Sequence, residues 1–161
     1  NMAYTAVPTV NTGDPWSASD HNTYIKDNLA YLKTETDKLS VLYSTIIVLS
    51  PIMVCAVGDD QIQIPIPASM NGWNLTGVKG WVNTAGDTGT MTVQIENVTK
   101  SKDMLSTLLT FASGATVDNG SAAIDTTKDD VASGNIISIN IDTIHTTPAR
   151  GLFVELKWEK P

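Results

Sequence analysis

The sequence predicts a mainly β protein in which a short, coiled-coil-like N-terminal α-helix precedes an antiparallel β-sandwich of jelly-roll type. One stretch, Trp16 to Leu39, combines a helix start signal with a helical apolar period. After Leu49 the apolar period falls to 2, and turn-forming pairs then recur at short intervals. The expected organisation is an extended anchoring arm over residues 1–16, an oligomerisation helix over 17–45 and a β-sandwich head over 46–161.

Pro8, Gly13 and Pro15 break any period in the first segment, so an extended arm that must dock on something is expected there. Ser17 is placed to cap a helix whose third residue is Asp20, and Trp16 to pack back on the first turn as a staple. The four-three spacing of a coiled-coil seam then runs through Ile25, Leu29, Leu32, Thr36 and Leu39, while Lys26, Asp27, Lys33, Glu35, Asp37 and Lys38 lie off it. Assembly is therefore assigned to Trp16, Ile25, Leu29, Leu32 and Leu39. At 1.5 Å per residue the seam spans roughly 21 Å, about two heptads, too short to hold without further association by the domains that follow. Thr36 on the seam, with Asp27 and Asn28 beside it, argues against a simple dimeric zipper. Periodicity alone fits equally a single amphipathic helix packed on its own β-domain.

Beyond the helix, Ile62, Ile64 and Ile66 alternate with polar residues or proline, as do Met91, Val93 and Ile95 and then Ile137, Ile139 and Ile141. Leu152, Val154, Leu156 and Trp158 form a fourth such set. Each reads as a strand with one wet face. Further strands are expected at Ile52–Val57, Leu75–Asn83 and Met104–Phe111. Turns are expected at Gly58-Asp59-Asp60, Asn71-Gly72, Ala85-Gly86-Asp87, Ser113-Gly114, Asn119-Gly120, Ser133-Gly134-Asn135 and Ala149-Arg150-Gly151. Seven or eight short strands so divided fit a sandwich, whose strand order periodicity does not reveal.

The 161 residues, 42% hydrophobic and 17% charged, suit one soluble domain, and a net charge of −7 disfavours phosphate backbones and anionic lipid surfaces. Nucleic acid is not an expected partner. Lys100 and Lys102 read as a solvated turn. The apolar run from Ile46 to Val57 is too short to span a bilayer and is interrupted by Ser50 and Pro51, so no membrane insertion is expected. Met2 is expected to be the natural start after Asn1, with no signal-peptide pattern behind it. Cys55 is the single cysteine and reads as a small buried apolar side chain, which excludes an internal disulfide framework.

Catalysis is not expected. His21 and His145 are the two histidines, and neither sits in a constellation that chemistry requires; no serine lies in a nucleophile elbow, and no phosphate loop, dinucleotide fingerprint or calcium loop occurs. No metal and no cofactor are expected. Asp59-Asp60 and Asp129-Asp130 could hold a cation or serve as acid and base, but adjacent carboxylates in turns ordinarily face water. Three Asn-x-Ser/Thr triplets, at Asn74, Asn97 and Asn119, carry little weight without a secretory signal. Trp73 and Trp81, eight residues apart, are expected to share one strand face, which makes them the candidate glycan contacts. Core or interface packing is the competing reading of each indole.

The run Trp16-Ser17-Ala18-Ser19-Asp20-His21-Asn22-Thr23-Tyr24-Ile25-Lys26-Asp27-Asn28-Leu29 resembles a segment near the N-terminus of tailed-bacteriophage virion structural proteins, of the form Trp-x-Ala-x-Asp-x-Asn-x-Tyr-Ile-basic-Asp-Asn-Leu. Asp103 to Thr107, Asp129-Asp130-Val131, Gly134-Asn135, Gly151 to Val154 and Lys160-Pro161 are similar to the β-domain that often follows in such chains. The resemblance implies a non-enzymatic virion protein, a homotrimeric fibre or spike, tail-associated and host-binding or attached to the capsid. It further implies other virion proteins as partners through the N-terminal arm, and residence in the phage particle after synthesis in the bacterial host cytoplasm. A glycan-binding receptor-recognition module and a capsid decoration protein are the alternatives. The resemblance supplies no catalytic residues.

Overall fold

A computed structural model describes residues 18–38 and 40–161. The chain divides into two compact units, Asn1–Val41 and Leu42–Pro161.

The first unit contains helix α1, Ala18–Lys38. Its onset falls where the Ser-x-x-Asp pattern predicts. Trp16, Ser17 and the expected extended arm lie outside the described residues. The helix stops at Lys38 rather than at residue 45, because Val41, Tyr43, Thr45, Ile46 and Ile47 are β-branched or aromatic and enter a strand instead.

The second unit is built from β1 (Val41–Val54), β2 (Gly58–Pro65), β3 (Asn74–Thr84), β4 (Thr90–Asn97), β5 (Lys102–Asp103), β6 (Leu105–Thr107), β7 (Leu109–Ala112), β8 (Ala123–Ile124), β9 (Ile136–Thr143) and β10 (Arg150–Glu159). One sheet has the order β1-β10-β3; a second has the order β2-β9-β4-β5, with β7 also pairing β4; β6 and β8 form a small third sheet. Residues 116–118 run along the outer edge of β3: Val82 N donates to Thr116 O at 2.9 Å, Asp118 N donates to Gly80 O at 3.1 Å, and Trp81 bridges Val117. β1 to β4 alternate between the two large sheets, β9 then pairs with β4 in the same sheet and β10 returns to the other, an order compatible with a jelly roll.

The alternation read from the sequence sets the core. Leu152, Val154, Leu156 and Trp158 of β10 and Ile137, Ile139 and Ile141 of β9 belong to one buried cluster with Met91, Val93, Ile95 and Phe111. A Cβ at Gly80 would lie 2.6 Å from the Phe111 ring, so glycine there lets β3 approach the opposite sheet.

Two expectations about strands and turns change between β2 and β7. Met104–Phe111 is not one strand, because the chain leaves β4 after β5, runs through β6 beside β8, and returns to β4 as β7. Gln94 fills the gap: its Nε2 donates to Leu105 O at 3.2 Å, and its Oε1 accepts from Leu105 N at 3.1 Å and Ile95 N at 2.9 Å. Gly58-Asp59-Asp60 is a bulge inside β2 rather than a turn, with Asp60 at φ 53° and its N–H held by Asn140 Oδ1 at 2.8 Å.

Candidate self-association surface

Ile25, Leu29 and Leu32 follow the four-three spacing along α1 and therefore share one helix face. Their exposures in the single chain are 51%, 60% and 59%. Lys26, Asp27 and Lys33 are exposed as well. Leu39 and Trp16, and the side chain of Thr36, lie outside the described residues.

The strand after the helix is a second apolar surface, and one whose exposure sequence reading did not anticipate. β1 was expected only from Ile52; it begins at Val41 and forms an edge of its sheet beside β10. Val48 and Leu49 enter the core, whereas Leu42, Tyr43, Ile47, Ile52, Met53 and Val54 are exposed, Ile52 to 79%. From Ile52 to Val54 three consecutive apolar side chains are exposed, so both faces of the strand are uncovered there. The stretch from residue 40 to residue 57 carries no charged residue in a chain that has 27.

Trp73 and Trp81 do not share a face. Leu75 of β3 pairs with Trp158 while Val78 pairs with Leu156, so a register shift between Lys157 and Trp158 places three residues of β3 against two of β10. Such a bulge reverses parity, and the even separation of the two tryptophans no longer decides their side. Trp73 packs against the core cluster. Trp81 pairs with Phe153 and lines a groove of about 300 Å³ with Val78, Lys79, Val117 and Asp118. The Asp118 carboxylate is already engaged, accepting from Gly80 N at 2.9 Å and Gly120 N at 2.8 Å. A smaller hollow of about 180 Å³ adjoins it, lined by Tyr43, Gly77, Lys79, Glu155 and Lys157. The neighbouring Glu159 carboxylate holds the Lys157 ammonium above its usual range.

The remaining polar candidates are held in ion pairs, in backbone hydrogen bonds or by burial. Asp130 pairs with Lys100, which lowers its carboxyl below the ordinary range, and Asp129 O accepts from Leu75 N at 2.9 Å. Lys100 is therefore an ion-pair partner rather than only a solvated turn residue. Asp142 is held above the ordinary range, first by burial and then by Asp103 and Asp59. Cys55 is fully buried, and burial pushes its thiol up to about 11, which leaves it protonated and unreactive. His145, expected in a loop, is 1% exposed, and neither ring nitrogen has a hydrogen-bond partner. No group of three or more metal-ligating side chains occurs among the described residues.

Comparison of the chain with protein-family models, curated protein sequences and solved structures returns no match.

Proposed function

We propose that this chain is a non-enzymatic structural protein of a phage particle, a homotrimeric fibre or spike. Its N-terminal arm and helix mount and trimerise it, and its β-head presents a surface. The observation that carries the reading is the exposed stripe of Ile25 and Leu29, with Leu32, on a helix whose other face is polar. Apolar side chains at this spacing, left more than half exposed in one chain, lose that exposure when helices from several copies wind together. The acidic head suits the outside of such an assembly, because closed symmetry hides the seam and leaves the charged surface in water. The trimer, the phage particle and the arm's attachment to other virion proteins rest on the resemblance of residues 16–29 to virion proteins.

Replacing Leu29 and Leu32 together with Asp tests the seam: light scattering reads a fall in mass if the stripe joins copies, and an unchanged mass contradicts it. A density map of the assembled particle, with this chain located in it, tests the placement and separates a tail adhesin from a capsid decoration.

A second reading, receptor recognition through a glycan, is favoured by Trp81 at its groove. A half-exposed indole beside Lys79 and Asp118 offers a stacking face with polar neighbours. Trp73 does not contribute to it.

A further inference from the structure

We propose that β1, through the edge that no described strand pairs and through its exposed side chains, is the contact between heads of neighbouring copies of this chain. The proposal rests on the self-association reading above and assigns it a second, separate surface. Natural edge strands that stay monomeric are short, carry Lys or Pro, or are covered by another element. β1 is 14 residues long and has one proline, Pro51, and no charged residue of its own; Arg150 of β10 brings a charge to it, its Nη1 donating to Ile52 O at 3.2 Å. A lone chain would pair such an edge with whatever it met.

The occupant is a second copy for reasons of charge, area and continuity. Copies of a chain at −7 repel one another least where charges are absent; residues 40–57 carry none, as do residues 61–78, and of these two stretches it is 40–57 that exposes large apolar side chains. Leu42, Tyr43, Ile47, Ile52, Met53 and Val54 expose on the order of 700 Å² per copy, close to the ~800 Å² that a standard interface takes from each partner. The strand also starts three residues after α1 ends, so a seam that gathers helices delivers the β1 strands at high local concentration. In a closed ring the edge of one copy meets the flank of the next, which buries both exposed faces of Ile52–Val54.

The full-length chain is tested as wild type, as Ile52→Asp, as Ile52→Lys and as the paired Leu29→Asp, Leu32→Asp variant, by light scattering over a concentration series and by hydrogen exchange of the β1 amides. Ile52 is 79% exposed, so either replacement leaves the isolated fold intact, and an unchanged melting temperature at high dilution checks this. The expected result is association weakened at least tenfold by both replacements, whatever the sign of the charge, with β1 amides that lose protection on dilution. A wild type that assembles while both Ile52 variants match it within twofold and β1 exchanges freely at every concentration overturns the proposal and leaves the helix seam standing. Paired helix variants that still associate through an Ile52-sensitive contact support the proposal and count against the seam. A wild type that is monomeric throughout overturns both.

Discussion

Pro51 of β1 lies so close to Gly151 of β10 that a Cβ at position 151 would fall 2.8 Å from the Pro51 Cα. Gly151 also has φ +65°, a left-handed conformation in the strand that holds the edge strand in place. Gly151→Ala therefore meets both backbone strain and a clash with backbone, and is expected to lower head stability by about 2–3 kcal/mol, read from the urea midpoint. A variant as stable as the wild type would mean that β1 is not fastened at this point.

A comparable fit occurs at Gly86, where an added Cβ would fall 2.3 Å from His145 Nδ1. Gly86→Ala should destabilise by about 1–3 kcal/mol through overpacking against a buried ring. His145→Ala removes the ring that the new methyl strikes, so the double variant should be more stable than the two single losses added together. Additive losses would contradict the contact.

Two carboxylates give opposite pH signatures. Asp125 is lowered from 3.8 to about 2, first by the Thr127 hydroxyl and then by Lys128. A depressed folded pKa contributes stability present above 3.8 and lost as the pH falls through about 2, so Asp125→Asn should lower the melting temperature at pH 7 and converge with wild type in strong acid. Asp142 has a raised pKa, so its ionised form costs stability above that folded value, and the cost vanishes as the pH falls through the ordinary carboxylate range. Asp142→Asn should raise the melting temperature at neutral pH, with the gain fading on acidification. Melting curves from pH 2 to pH 8 check both signs.

The two tryptophans should separate cleanly. Trp73 packs against the core, so Trp73→Ala should cost about 2 kcal/mol or more of head stability. Trp81→Ala should cost less stability and remove any glycan binding that an array detects. Binding that survives Trp81→Ala would exclude its groove as the glycan site.

The strands with strict alternation were legible because an apolar residue recurs at every second position: β9 and β10 bury the isoleucines, leucines and Trp158 that the period of 2 selects, although the other face of β9 is not wet as expected, since Ser138 and Asn140 are buried as well. Part of what was not legible came from single extra residues. The bulge in β3 reversed the side of Trp81 relative to Trp73, and the bulge at Gly58–Asp60 resembled a turn because both use glycine and left-handed aspartate. The helix end was misplaced because apolar residues at 41–47 fit either period, and β-branching decided for strand. Strand order depends on long-range pairing, which no local pattern carries. That Ile25 and Leu29 share one helix face could be read from spacing alone, whereas the exposure of β1 could not, since an apolar run reads as buried until its neighbours are known.

Sedimentation of the intact chain across a micromolar concentration range tests self-association most directly. The account predicts a species of three times the 17.2 kDa chain mass that dissociates on dilution. A single 17.2 kDa species at every concentration, with Ile25 and Leu29 still open to solvent, would contradict it.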